Sequence, residues 1–170
     1  DYTDLGNTIE QALFWGCFTA DRNGNAYFAL MEPDLYEVHG IREDGTEFMT
    51  ASREVVPVEK TSGEIADEKA WINARLQGWN ANWGVGDWNP EPMRNQIRDL
   101  GVDGEGRLWV LRGICEEPTF DVFNAENGEF LFSARLQGTG SQGLFWNFSF
   151  SEHGILAWSE APEDFPMVYM

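Results

Sequence analysis

Three stretches of the chain share one turn. Asp21-Arg-Asn-Gly24-Asn-Ala-Tyr-Phe28, Asp103-Gly-Glu-Gly106-Arg-Leu-Trp-Val110 and Ser151-Glu-His-Gly154-Ile-Leu-Ala-Trp158 each set a short polar residue three positions before a glycine, and each continues into residues of high strand propensity. The polar side chain accepts backbone N–H groups two residues on, and glycine takes a positive φ without a Cβ clash. Apolar runs enter the turns over Phe14–Ala20, Ile97–Val102 and Leu144–Phe150, and strands leave them over Tyr27–Met31, Leu108–Leu111 and Ile155–Trp158. Each copy therefore reads as a hairpin.

A second hairpin follows the first two. Leu35 to Ile41 turns at Asp44-Gly45 into Thr46 to Ala51, and Thr119 to Asn124 turns at Asn127-Gly128 into Glu129 to Ala134. Four short antiparallel strands in about 40 to 50 residues make one propeller blade. The spacing is uneven: 48 residues separate Gly106 from Gly154, but 82 separate Gly24 from Gly106. The excess lies where alternation stops. Thr61-Ser-Gly-Glu64 reads as a capping box opening a helix through Leu76, with Gly78 as its stop, and a loop rich in Gly, Asn and Pro follows to Pro92. The expected fold is all-β, built of four-stranded antiparallel β-propeller blades with one helical and loop insertion between blades. A single partial domain over 1–170 then divides into a blade at 10–55, the insertion at 57–95, a blade at 96–138 and a partial blade at 141–170.

The Gly-closed turn before Leu108-Trp-Val110, the segment Phe120-Asp-Val-Phe-Asn-Ala-Glu-Asn-Gly-Glu129 and the insertion Pro57-Val-Glu-Lys-Thr-Ser-Gly-Glu64 together resemble bacterial six-bladed β-propellers related to the NHL-repeat group. The resemblance spans nearly the whole chain and implies an exported, extracytoplasmic protein, periplasmic or secreted. Such relatives include binding scaffolds, sensor domains and a few enzymes, and no catalytic motif of those enzymes can be laid onto this chain. A six-bladed ring needs about 250 to 300 residues. With two blades and most of a third, and with Phe165 to Met170 reading as a strand in progress, the chain is expected to be part of a longer ring or to be completed by a partner.

Charge narrows the partners. The 29 acidic and 11 basic residues give a net charge of −18, which argues against nucleic acid and against anionic lipid headgroups. No apolar run approaches the length of a membrane span. Cys17 and Cys115 fall at different places in the repeat, so a disulfide and two buried thiols both remain open. There is no Cys-x-x-Cys pair and no Gly-x-Ser-x-Gly elbow. His39 reads as a half-buried strand residue and His153 as an exposed turn residue. Asp99 and Asp103 are the best-placed carboxylates, although Asp103 occupies the turn position of Asp21 and Ser151. Asp21, Asn23 and Asn25 resemble the first half of a calcium loop, but Gly24 falls at place four where the loop requires place six. No catalytic residue, cofactor or metal is assigned.

The aromatics give the functional lead. Trp109, Trp146 and Trp158 fall in strands, whereas Trp79, Trp83 and Trp88 lie in the insertion, where no regular sheet calls for a bulky side chain. They read as anchors for a protein partner or as a cap folded back over the sheets, with stacking on a sugar ring a third reading. Two functions follow as expectations. One is a noncatalytic accessory subunit, protein-binding or structural, of a membrane-associated complex. The other is a fragment of a propeller enzyme, an NHL-like hydrolase or lyase, whose catalytic residues lie in other blades.

Overall fold

The computed structural model describes residues 16–78, 89–113, 117–138, 146–151, 153–159 and 167–169. The described chain is all-β apart from one helix. The first sheet holds β1 (Gly16–Ala20), β2 (Ala26–Leu30), β3 (Glu37–Ile41) and β4 (Glu47–Ser52) in that order, all antiparallel. The helix α1 (Ser62–Gly78) follows. The second sheet repeats the order with β5 (Ile97–Val102), β6 (Arg107–Arg112), β7 (Thr119–Asn124) and β8 (Phe130–Arg135). A third sheet joins β9 (Trp146–Ser151), β10 (Gly154–Ser159) and β11 (Met167–Tyr169).

The repeated turn works through its first residue. The Asp21 carboxylate accepts the N–H groups of Asn23 and Asn25, the Asn25 side-chain amide and the Tyr27 hydroxyl. Asp103 takes the corresponding set: the N–H groups of Glu105 and Arg107, Nε of Arg107 and the indole N–H of Trp109. The carboxylate thus ties the turn to the aromatic ring six residues on, which itself packs between sheets. In the third copy Ser151 makes local bonds, accepting the N–H of His153 and donating its hydroxyl to the Gly154 carbonyl. Gly24 and Gly106 close the two Asp turns at φ of 83° and 75°.

Sheets stack face to face because each strand alternates its side chains. Cys17, Tyr27, Ala29, Val38, Met49 and Ala51 of the first sheet meet Ile97, Leu100, Leu108, Val110 and Phe123 of the second. The opposite face of the second sheet, with Trp109, Leu111, Phe120 and Val122, meets Trp146, Phe148 and Ala157 of the third. Strand β7 is buried on both sides, which explains its unbroken Phe120-Asp-Val-Phe123 run. Stacking is close at Gly101, where an added Cβ would fall 1.8 Å from the Phe150 ring. That ring sits 6.1 Å from Trp109, the cross-strand partner of Gly101. Gly101→Ala is expected to cost about 1–3 kcal/mol by prising the second and third sheets apart. Urea unfolding with near-ultraviolet circular dichroism of Trp109 checks this, and an unchanged midpoint would contradict it.

The capping box forms as the sequence suggests. Thr61 N–H donates to Glu64 Oε2 at 2.7 Å, and Glu64 N–H donates to Thr61 Oγ1 at 3.2 Å. The two ends of the insertion are pinched together: Lys60 N–H donates to the Pro92 carbonyl and Arg94 N–H to that of Val58. Among the described residues, no helix is long and apolar enough to cross a membrane.

Candidate functional site

The polar centre of the described chain lies where the first two sheets meet, at the end that carries the β2–β3 connection. Asp121 points from β7 towards the first sheet and is fully buried. Its Oδ2 accepts the Tyr36 hydroxyl at 2.9 Å, Arg53 Nη1 at 2.6 Å and Arg112 Nε at 3.0 Å. Its Oδ1 accepts Arg112 Nη2 at 2.6 Å and Ser133 Oγ at 2.7 Å. Burial alone would raise the carboxyl pKa, but the donors Arg112, Ser133, Tyr36 and Arg53 outweigh it and hold the value down to about 2. Conversely, burial and the Asp121 charge push the Tyr36 hydroxyl well above the usual tyrosine range. Tyr36 and Arg53 come from the first sheet, Arg112 and Ser133 from the second, so one carboxylate clasps two sheets.

Above this clasp opens a cleft of about 330 Å³ whose walls include Tyr36, Arg53, Arg94, Asn95 and Arg112. The strand ends place them: Arg53 follows β4, Arg94 and Asn95 precede β5, and Arg112 ends β6. The Arg53 guanidinium lies over the Tyr36 ring at 5.4 Å. Arg94 reaches back to the helix cap, with Nη2 on Glu64 Oε2 at 3.0 Å. Burial works against ionisation of Glu64, but bonds from Thr61 and Arg94 lower its pKa overall. Val55, Val56 and Val58 line an apolar wall. The chemistry available is positively charged hydrogen bonding beside a small apolar surface.

The sequence-predicted residues fall elsewhere. Trp79, Trp83, Trp88 and Cys115 lie outside the described residues. Cys17 is a buried free thiol whose pKa is pushed up to about 12 by burial and by the nearby Asp99 charge, the environment of an inert thiol. Asp21 and Asn25 bond to each other within the turn, and Asn23 supplies a backbone N–H, so a cation there would displace at least two backbone bonds to Asp21. Asp103 is likewise a turn former, and donors from Trp109, Arg107 and Glu105 overcome burial to lower its pKa. Asp99 is half-buried in β5, with burial raising its pKa. His39 stacks on Phe28 at 5.1 Å and bonds Glu47 through Nδ1 at 3.0 Å. His153 is exposed.

A second surface stands out on the side of the first sheet turned away from the second. Register aligns Phe18, Phe28, His39 and Thr50 in one row across β1 to β4. Phe18 is 85% exposed and Phe28 37%. The corresponding side of the second sheet, with Leu108, Val110, Asp121 and Phe123, is buried against the first. No protein-family model matches the chain, and no curated protein matches it.

Proposed function

We propose that the protein is an extracytoplasmic β-propeller of the NHL-repeat type acting without catalysis, as a protein-binding or structural accessory subunit. The observation that carries this reading is the open row Phe18, Phe28 and His39 on the first sheet. Face-to-face stacking covers the same side of the second sheet with the first and that of the third sheet with the second. Continuity of the stack makes the occupant of the open row the apolar face of a further antiparallel sheet, supplied by a partner protein. An aromatic such as Phe18 left in water forgoes about 1.5–3 kcal/mol of burial, which a docked sheet recovers. The acidic carboxylates support the noncatalytic part, because Asp21, Asp103 and Asp121 are each saturated by donors that build turns or join sheets.

A photocrosslinking residue in place of Phe18, in protein purified from its own host, tests the reading. The expected product joins position 18 to a strand of a second polypeptide, and adding Phe28→Glu, in the same row, abolishes it while the far-ultraviolet circular dichroism stays β-rich. Crosslinks confined to the chain's own first residues, or a monomeric mass unaffected by Phe18→Glu, would overturn it.

A further inference from the structure

We infer that the cleft above Asp121 is a binding site for a small organic carboxylate, held by Arg53, Arg94 and Asn95 with its carbon chain along Val55 and Val56. This site is distinct from the sheet face that carries the proposed function, and either can fail without the other.

The argument begins with the unused donors. Arg53 gives only Nη1 to Asp121, and its guanidinium lies over the Tyr36 ring. Nε and the second terminal nitrogen of Arg53 therefore have no protein acceptor among the described residues. Arg94 gives Nη2 to Glu64, while its buried Nε lies 2.9 Å from Glu64 Oε1 but is not aligned for a hydrogen bond. The Asn95 side-chain amide also lines the cleft with no protein partner among the described residues. Arginine guanidinium groups present paired donors that match a carboxylate in two places; Asp121 holds that of Arg53 and Glu64 that of Arg94.

Charge supports an anion of modest size. The Asp121 charge lies beneath the guanidinium groups, fully buried, so the cleft surface presents the cations. Side chains of Arg53, Arg94 and Arg112 retain 40%, 31% and 37% exposure. Among the described residues, Glu54 is the one acidic residue in the cleft wall. With a net charge of −18 the remaining surface repels anions, so saturable uptake of one requires a local site of this kind. The volume of about 330 Å³ is at the small end of ligand pockets and suits a short-chain acid.

Sodium butyrate is the probe and sodium sulfate the comparison, followed by the arginine Nε–Hε signals in nuclear magnetic resonance of the whole protein. Butyrate is expected to shift Arg53 and Arg94 saturably, with sulfate at least about tenfold weaker because it gains nothing from the valines. Val56 is 80% exposed, so Val56→Glu leaves the fold intact while setting a negative charge at the rim. It is expected to weaken butyrate about tenfold, and Asn95→Asp does the same from the opposite wall. No saturable shift, equal response to sulfate, or a response that both variants leave unchanged would overturn the inference.

Discussion

Asp121→Ala is expected to lower the free energy of unfolding by about 3 kcal/mol, the lower end of the cost of breaking a buried ion pair. The lower end applies because the Arg53 and Arg112 side chains keep 40% and 37% of their surface in water, which screens the charges left behind. Tyr36 and Ser133 would lose their shared acceptor at the same time. The effect carries a pH signature. The folded pKa of about 2 is depressed below the ordinary 3.8, so the stabilisation is complete above the unfolded value and is lost as pH falls through about 2. That difference corresponds to roughly 2 kcal/mol. Asp121→Asn removes the charge while keeping the shape, so the gap between it and the native protein in urea midpoint should be wide at neutral pH and narrow in strong acid. A gap that persists unchanged in acid would show that the charge is not what joins the sheets.

Asp121 also shows where the sequence stops being readable. Turns announce themselves locally: an Asp three residues before a glycine specifies bonds that lie within six residues, and both Asp21 and Asp103 make them. The capping box is local in the same sense. β5 and β7 match their expected spans, and β2, β3, β4, β6, β8 and β10 shift by one or two residues at their ends. The clasp is different, because Asp121 meets Tyr36 and Arg53 across 85 and 68 residues of chain. One signal was available: a single acidic residue inside the apolar run Phe120 to Phe123, on a strand that must be covered on both faces, requires buried partners. Nine of the 11 basic residues are arginine, and Arg53, Arg94 and Arg112 each sit at or near a strand end. Which strand ends converge depends on how sheets stack, and single-chain periodicity carries no such information. The tryptophans stand out in the sequence by size, whereas the cleft is built from residues whose importance comes only from convergence.

Lys60→Met is expected to loosen the helical insertion by about 3–5 kcal/mol at neutral pH. Lys60 Nζ lies 2.7 Å from Glu68 Oε2, and each side chain is only 4% exposed. The pair joins the start of the insertion to the second turn of α1, whose Trp71 and Ile72 are buried just beyond it. Burial raises the pKa of Glu68, and Lys60 only partly opposes this. A carboxyl raised on folding contributes stability below its unfolded pKa and loses it as pH rises through the folded value. Removing the ammonium leaves a lone buried carboxylate and steepens that loss, so the damage in Lys60→Met should shrink when pH falls below the ordinary glutamate range. Hydrogen exchange of α1 amides measures it locally, where opening need not unfold the sheets. Replacing both partners, Lys60→Met with Glu68→Leu, should restore most of the protection, since a fully apolar contact avoids both desolvation costs. Equal loss at all pH values, or a double variant as open as the single one, would mean that the helix is held by its apolar contacts alone.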